Sequence, residues 1–243
     1  MSDARMSDAT RGSGGTIIAI GGHEDRDADR IILRAVAEAM CAGPLLVLAT
    51  ASRTPQLYFT RYRTAFEGIG VHDVRNLAVR DRTDAEDPVV LDLIAAAGGV
   101  FLTGGSQLRL VTPIRDTAAH RALRDLHARG GVIAGTSAGA SALGERMVAG
   151  TREPRLSPGL GLLAGVMLDQ HFAQRDRLGR LADAVSQTAE CSGIGIDENT
   201  ALVVRGAQVS VVGTGEAWVL DGRRSVRRVP AGREFTLGDT IAA

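Results

Sequence analysis

The stretch from Gly130 to Ala142, GGVIAGTSAGASA, joins a short apolar run to small residues that surround a few hydroxyl groups. The run GVIAG (131–135) has the length and composition of a buried strand, and the residues after Ser137 are compatible with a helix. Glycine and alanine leave room for an abrupt turn whose central residue is strained. The stretch therefore predicts a strand followed directly by a helix, with the hydroxyl group of Ser137 exposed at the turn.

The rest of the chain repeats this alternation of strand and helix, which predicts an α/β fold with a mostly parallel sheet covered by helices. The predicted strands are TIIAI (16–20), LLVLAT (45–50), VHDVRNLAV (71–79), GVFLTG (99–104), GVIAG (131–135), VMLD (166–169) and GIGID (193–197). The predicted helices are DADRIILRAVAEAM (27–40), PQLYFTRYRTAFEGI (55–69), DPVVLDLIAAA (87–97), a long helix before Gly130, one after Ser137 and one around RLGRLADAVSQ (177–187).

The two ends of the chain differ from this pattern. Residues 200–222, TALVVRGAQVSVVGTGEAWVLDG, form short apolar runs interrupted by glycine, which predicts a C-terminal antiparallel β annex. Residues 1–15 are polar and lack the apolar core of a secretory signal, so we expect a disordered tail followed by a single domain over 16–243. No apolar run reaches the roughly 18 residues of a membrane span, and no membrane partner is expected.

Composition excludes several functions. The chain has 28 basic and 28 acidic residues and only 3% aromatic residues. It therefore offers neither a basic surface that follows phosphates nor aromatic platforms that stack bases, and nucleic acid is not an expected partner. Cys41 and Cys191 lie far apart without a CxxC pair, which predicts neither a metal site nor a disulfide framework. A reducing cytoplasm is the expected location.

Residues 135–139, GTSAG, match G-x-S-x-G in the strand-to-helix context that a serine nucleophile requires. The first turn of the following helix would direct free N–H groups and its positive dipole end at the turn. Turns of this composition also bind phosphate, or only allow a helix to pack closely on a sheet. The motif alone leaves these interpretations open.

A serine nucleophile needs a base within hydrogen-bond reach. His171 is the candidate, because it directly follows the strand VMLD and should emerge at the same sheet edge as Ser137. Glu198, just past GIGID, is the candidate acid that orients the imidazole; Glu153 is a rival, and Asp169 is a weaker one. This chain order excludes the α/β-hydrolases, in which the acid precedes the histidine.

Acyl transfer also needs N–H donors for the oxyanion that develops on the substrate. We predict the backbone N–H groups of Ala138 and of Gly105, the latter in the glycine pair that ends the strand GVFLTG. A glutamine amidotransferase is not expected, because that chemistry would use cysteine where Ser137 stands.

Six segments in this order resemble the cyanophycinase family of serine peptidases, which is related to aspartyl dipeptidase. They are GGHEDR (21–26), ATAS (49–52), FLTGGSQLRL (101–110), GVIAGTSAGAS (131–141), DQHFAQRDRLGRL (169–181) and GIGIDENTAL (193–202). The resemblance extends from about Thr16 to about Gly222. It implies a flavodoxin-like, class I glutamine amidotransferase-like three-layer sandwich, a Ser137–His171–Glu198 triad, a homodimer, and no metal or organic cofactor.

The substrate that the resemblance implies is cyanophycin, a poly-aspartate backbone with arginine on each β-carboxyl group, cleaved to β-Asp-Arg dipeptides. Arg175, Arg177 and Arg180 are expected to bind carboxylates of this polymer, because guanidinium groups grip carboxylates with two hydrogen bonds. The positions that match the family's pocket motifs for the arginine half of the substrate are Gln107, Asp169 and Gln170.

Two residues depart from the family pattern: Ser106 stands where aspartate is usual, and Asp176 where glycine is usual. A carboxylate at position 176 is expected to pair with one of the neighbouring arginines. Two alternative functions stay open, namely an aspartyl or isoaspartyl dipeptidase of the same fold and a non-catalytic protein that senses an acidic peptide.

Overall fold

The computed structural model describes residues 14–150, 155–188, 191–220 and 225–238. Its strands are β1 (Thr16–Ile20), β2 (Leu45–Leu48), β3 (Val74–Asn76), β4 (Gly99–Leu102), β5 (Val132–Thr136), β6 (Gly144–Ala149), β7 (Arg155–Pro158), β8 (Leu163–Gln170), β9 (Ser192–Ile196), β10 (Thr200–Arg205), β11 (Gln208–Gly213), β12 (Glu216–Leu220), β13 (Val226–Pro230) and β14 (Glu234–Thr236). Its α-helices are α1 (Ile31–Glu38), α2 (Pro55–Glu67), α3 (Pro88–Ala96), α4 (Gln107–Ile114), α5 (Ala118–Ala128), α6 (Ala138–Leu143) and α7 (Leu178–Ser186). Residues 1–13 of the expected tail lie outside the described residues, and none of the described helices is long and apolar enough to cross a bilayer.

The strands form two sheets. The first has the order β14-β11-β10-β1-β5-β4-β2-β3, in which β1, β5, β4, β2 and β3 are parallel and the other three are antiparallel. The second has the order β13-β12-β9-β8-β6-β7, with a parallel centre of β9, β8 and β6. These sheets confirm the predicted α/β fold with a largely parallel sheet and an antiparallel C-terminal annex. The annex contributes strands to both sheets.

Successive residues of the central strands pack on opposite faces, as the strand period of two requires. In β1, Ile18 and Ile20 pack in a cluster with α1 and α2, whereas Ile17 and Ala19 belong to a larger cluster that reaches the second sheet. The short helix α6 contacts both β5 and β8 and so lies between the sheets. The outer face of the second sheet packs under α7 around Phe172. The result is the expected layered sandwich.

The prediction that VMLD and GIGID lie in one sheet with GVIAG is wrong, because β8 and β9 belong to the second sheet. The chain changes sheets through α6, which has only six residues, and then forms β6 and β7, which the prediction missed. The register between β6 and β8 shifts between Gly144 and Arg146. Irregular pairing of this kind leaves no clear alternation in the sequence.

Two further boundaries differ from prediction. The long helix before Gly130 is two helices, α4 and α5, because Asp116 adopts a left-handed φ of 60° between them. The side chain of Thr117 then caps α5 by accepting a hydrogen bond from the N–H of His120 at 3.3 Å. The strand predicted over 71–79 is reduced to the three residues of β3 at the edge of the sheet.

The two sheets meet at a seam near the carboxyl ends of β1, β5, β8 and β9. Residues 197–199 form the turn by which the chain leaves β9 in the second sheet and enters β10 in the first. The N–H of Gly21, just after β1, donates to the carbonyl oxygen of Thr200 at 2.9 Å. The residues that end these four strands therefore gather at one place.

Candidate active site

Ser137 separates β5 from α6 and has φ 52° and ψ −112°. A residue with a side chain holds such a backbone only where its surroundings fix it. Its N–H donates to the carbonyl oxygen of Ile20 at 2.9 Å. A Cβ added at Gly139 would lie 2.3 Å from the carbonyl oxygen of Leu102, and one at Gly135 would lie 2.5 Å from the backbone of Gly139. The glycines of the motif are therefore required because α6 packs directly on the strands.

The three side chains predicted to act together form a continuous hydrogen-bond chain at the seam. Ser137 Oγ lies 2.8 Å from His171 Nε2, and His171 Nδ1 lies 2.6 Å from Glu198 Oε1. They follow β5, β8 and β9 respectively, so two sheets contribute to one site. Of the rival acids, Glu153 lies outside the described residues, and Asp169 contacts arginines.

The surroundings of His171 keep its imidazole neutral, with the lone pair of Nε2 directed at Ser137. Burial lowers the pKa of His171, and the hydrogen bond to Glu198 only partly opposes this effect. Burial alone would raise the pKa of Glu198, but its hydrogen bond with His171 and the charges of His23 and Arg175 lower the pKa overall. Glu198 is therefore an anion that accepts from Nδ1–H of a neutral imidazole at pH 7. That tautomer leaves Nε2 able to accept a proton.

The loop that follows β1 accepts backbone hydrogen bonds from His171 and from Asn199, the residue after Glu198. The carbonyl oxygen of Gly21 accepts from the N–H of His171 at 2.8 Å, and that of Gly22 accepts from the N–H of Asn199 at 2.8 Å. Gly22 has φ 97°, and a Cβ there would lie 2.4 Å from Cε1 of His171. Only glycine fits this position without displacing the imidazole.

Backbone strain concentrates at the same point. Of the seven described residues other than glycine that have a positive φ, four lie at this seam: His23, Ser137, His171 and Asn199. Each such conformation costs on the order of 1–3 kcal/mol and persists at sites where geometry is functionally constrained. The strain therefore marks the seam as the candidate active site independently of side-chain chemistry.

Two polar residues of the β1 loop were missed as site residues by the sequence interpretation. His23 Nδ1 lies 3.1 Å from Glu198 Oε2, and its ring meets that of His171 edge-on at 5.2 Å between centroids. Glu24 is buried and accepts from Thr136 Oγ1 at 2.6 Å and from the hydroxyl group of Tyr62. The sequence signal that points to them is a glycine pair directly after a strand at the site edge of the sheet.

Of the two predicted oxyanion donors, Ala138 directly follows Ser137, and Gly105 follows a glycine that packs against Ser137. The N–H groups of Ala138 and Gly105 have no acceptor among the residues that the structure describes, whereas the N–H of Ser137 is used by Ile20. A Cβ added at Gly104 would lie 3.2 Å from Cβ of Ser137, so the glycine pair packs against the nucleophile candidate. The N–H of Ala138 is thus free at the turn, and the N–H of Gly105 is free one residue beyond the contact at Gly104.

The predicted substrate arginines are arranged differently from the expectation. Asp169 is fully buried (0% exposed) and accepts from Arg177 Nη1 at 2.7 Å and from Arg180 Nε and Nη2 at 2.9 Å. With both of its oxygens engaged inside the protein, Asp169 is placed to hold these arginines and not to meet a substrate guanidinium. Two cations on one anion leave the cluster with one net positive charge. Arg175 is exposed and has no ion pair among the described residues.

The remaining predicted pocket residues also contact protein groups. Gln107 Nε2 donates to the carbonyl oxygen of Val148 at 3.3 Å, and Gln170 Nε2 donates to Ser141 Oγ at 3.4 Å. Gln170 Oε1 is buried and has no partner within the described part of the chain, so it is the acceptor in this group that is open to a donor.

The two departures from the family pattern have simple structural outcomes. Ser106 Oγ accepts from the N–H of Arg109 at 3.3 Å and caps α4, which is a role that aspartate fills equally well. The expected pairing of Asp176 with an arginine is wrong for the described residues, in which the arginines turn to Asp169. Asp176 instead has a left-handed φ of 46° at the end of the 3₁₀ helix Ala173–Arg175.

Comparison with known proteins agrees with this architecture. Residues 17–212 match the model of peptidase family S51. The chain is 38% identical over 218 residues to the cyanophycinase of Trichormus variabilis, covering 84% of this chain and 73% of that protein. It is 38% identical over 226 residues to the cyanophycinase of Synechococcus elongatus, covering 87% and 70%. A crystal structure of a peptidase from an acI-B1 actinobacterium has the same fold, with a TM-score of 0.75 at 21% identity over 93% of this chain and 98% of that one. The chain therefore belongs to peptidase family S51.

Proposed function

We propose that this protein is a cyanophycinase, a serine-type exopeptidase that hydrolyses the aspartyl backbone of cyanophycin to β-Asp-Arg dipeptides. The observation that carries the proposal is the hydrogen-bond chain from Ser137 through His171 to Glu198. It occurs in a chain that is 38% identical to proteins named cyanophycinase.

The proposed reaction begins when His171 Nε2 accepts the proton of Ser137 as Oγ attacks an aspartyl carbonyl carbon of the main chain. Glu198 holds the Nδ1–H tautomer and stabilises the imidazolium ion that forms. The N–H groups of Ala138 and Gly105 donate to the oxyanion, and each such donor is worth about 3–4 kcal/mol in the transition state.

His171 then gives its proton to the leaving amine, and the β-Asp-Arg dipeptide departs from an acyl-enzyme on Ser137. Water attacks the ester while His171 Nε2 again accepts a proton, and the reverse transfer returns the hydroxyl group to Ser137. Every proton in this sequence moves through one imidazole, so the reaction needs no group beyond the side chains and N–H donors named.

The charges at the site support a substrate that carries carboxylates. Each repeating unit of cyanophycin has the free α-carboxylate of its arginine branch. Arg175 is exposed, and it lies close enough to His171 and Glu198 for its charge to lower the pKa values of both. The Asp169 cluster adds one net positive charge behind it. We assign Arg175 to the branch carboxylate, because Arg177 and Arg180 already bind Asp169.

Replacing Arg175 with alanine is expected to lower kcat/KM for cyanophycin about 10- to 150-fold, since a charge-assisted hydrogen bond contributes roughly 1.5–3 kcal/mol. The free energy of unfolding should change little, because the guanidinium group has no ion pair within the described residues. Steady-state kinetics and urea unfolding measure the two quantities. Arg121, an exposed arginine on α5, provides the control R121A. Equal kinetic effects of R175A and R121A would remove Arg175 from the substrate site.

The pH profile of kcat/KM should show an acid limb centred below pH 6.5. His171 acts as a base only when neutral, and burial holds its pKa below the ordinary value of about 6.5. Activity is therefore lost as the pH falls through this lowered pKa and is fully present at pH 7. An acid limb centred above pH 7 would contradict the environment described for His171.

The proposed function is tested by measuring soluble dipeptide released from insoluble cyanophycin, with Asp-X and isoaspartyl dipeptides offered in parallel. Release of β-Asp-Arg from the polymer supports a cyanophycinase. Cleavage of the dipeptides alone would favour the dipeptidase alternative, and hydrolysis of neither substrate would favour an acidic-peptide sensor.

The same proposal includes the homodimer that the resemblance implies and a cytoplasmic location. Sedimentation equilibrium tests the assembly, with an expected mass of twice the 25.4 kDa of one chain. A mass of one chain at micromolar concentration would refute it.

A further inference from the structure

At the outer edge of the site a second imidazole, that of His23, lies beside the carboxylate of Glu198. His23 Nδ1 lies 3.1 Å from Glu198 Oε2, while His171 Nδ1 lies 2.6 Å from the other oxygen of the same carboxylate. One ligand atom from each of the three residues lies within 4.8 Å of the other two. The side chain of His23 is 69% exposed, so the edge of this triangle is open to solvent.

Two imidazoles and one carboxylate are a ligand set that zinc accepts, with a fourth position left for water. Ligand atoms about 2.1 Å from a tetrahedral zinc ion stand roughly 3.4 Å from one another. Each imidazole is already closer than this to one of the two oxygens of Glu198, and in the triangle with one ligand atom per residue the widest edge has to close by at most roughly 1.4 Å. Rotation of the exposed His23 ring brings its nitrogen closer, and the carboxylate of Glu198 has to move away from His171 by roughly 0.8 Å to admit the ion.

We propose that His23, His171 and Glu198 form a binding site for Zn²⁺ whose occupancy excludes the Ser137–His171–Glu198 hydrogen-bond chain. Nitrogen ligands select zinc over Mg²⁺, which prefers an all-oxygen octahedral shell. The ion replaces the proton shared by Nδ1 of His171 and Glu198, or it binds Nε2 directly.

Either mode removes the base. If His171 binds zinc through Nδ1, the imidazole stays neutral only when its proton moves from Nδ1 to Nε2, and it then cannot accept the proton of Ser137. If it binds through Nε2, the metal occupies the lone pair that faces Ser137. Zinc is therefore a reversible inhibitor and not a cofactor, because it occupies a nitrogen of His171 that catalysis needs for a proton. Metal binding itself is independent of the proposed function, whereas inhibition rests on that function.

Isothermal titration calorimetry with ZnCl₂ on the full-length S137A variant tests the site without any catalytic readout. We expect one zinc ion per chain, no heat with MgCl₂, and at least about tenfold weaker zinc binding when His23 is also replaced by alanine. The matched control is H72A in the same background, because His72 is an exposed histidine just before β3, at the opposite edge of the parallel sheet. Equal zinc affinity of the H23A and H72A proteins, or no binding, would overturn the site.

Inhibition is measured next on the active enzyme with its polymer substrate, with each variant referred to its own rate without metal. ZnCl₂ should inhibit the protein with native His23 and the H72A variant, EDTA should restore the rate, and H23A should need at least about tenfold more zinc. Binding through His23 that leaves turnover unchanged would refute the exclusion of the catalytic hydrogen bonds. If the protein does not hydrolyse cyanophycin, the calorimetric result still decides the site, so the two proposals fail separately.

Discussion

Replacing Ser137 with alanine is expected to lower cyanophycin turnover on the order of 10⁴- to 10⁶-fold and to leave the free energy of unfolding nearly unchanged. The hydroxyl group is the proposed nucleophile, and the residual rate then comes only from binding and the oxyanion donors. Alanine keeps the Cβ and the N–H that donates to Ile20, so the strained turn is preserved.

Release of β-Asp-Arg and urea unfolding measure these two effects. The control is S186A, which removes an exposed hydroxyl group on α7 whose only acceptor within the described residues is the carbonyl oxygen of Asp183. S186A should retain full activity. Turnover by S137A within tenfold of the unsubstituted enzyme would end the serine mechanism.

Replacing Asp169 with alanine is expected to destabilise the fold by about 3–5 kcal/mol. Removing one partner of a buried ion pair leaves an uncompensated charge, and here two guanidinium groups would face each other without their shared anion. For a chain of this length, 1 kcal/mol lowers Tm by about 2–4 °C, so the melting temperature should fall by at least roughly 6 °C.

Urea unfolding and calorimetry measure the loss, and D183A on α7 is the matched control because Asp183 is exposed. That variant should change the free energy of unfolding by less than about 0.5 kcal/mol. A D169A protein as stable as D183A would show that the three-residue cluster does not stabilise the fold. Arg180 donates to both oxygens of Asp169, so R180A should also lower the free energy of unfolding.

Local signals predicted the turn at Ser137. The five residues GTSAG have glycines at the two positions where a side chain would collide with neighbouring backbone. The structure shows why: α6 packs directly on the strands. His171 and Glu198 were predicted because each directly follows an apolar strand, and the structure joins them to Ser137 by hydrogen bonds. The sheet in which those strands lie was predicted wrongly, because strand pairing depends on distant partners that an apolar run does not specify.

The orientation of Asp169 follows from the alternation of side chains along its strand, a signal that the sequence interpretation did not use. In β8, Met167 and Asp169 share a face because side chains alternate along a strand, and Met167 packs under α7. Asp169 therefore faces the helix that Arg177 and Arg180 begin, away from the cluster between the sheets. His23 and Glu24 were missed for another reason: the glycine pair before them indicates a turn at the site edge, but their approach to Glu198 and Thr136 depends on how the β1 loop crosses the seam.

The central claim is that His171 activates Ser137 at the seam between the sheets, and the most direct test is labelling with a fluorophosphonate followed by peptide mass spectrometry. The account predicts one adduct per chain, located on Ser137, that forms far more slowly in the H171A variant. An adduct on another residue, or labelling of Ser137 at the same rate in H171A, would contradict it.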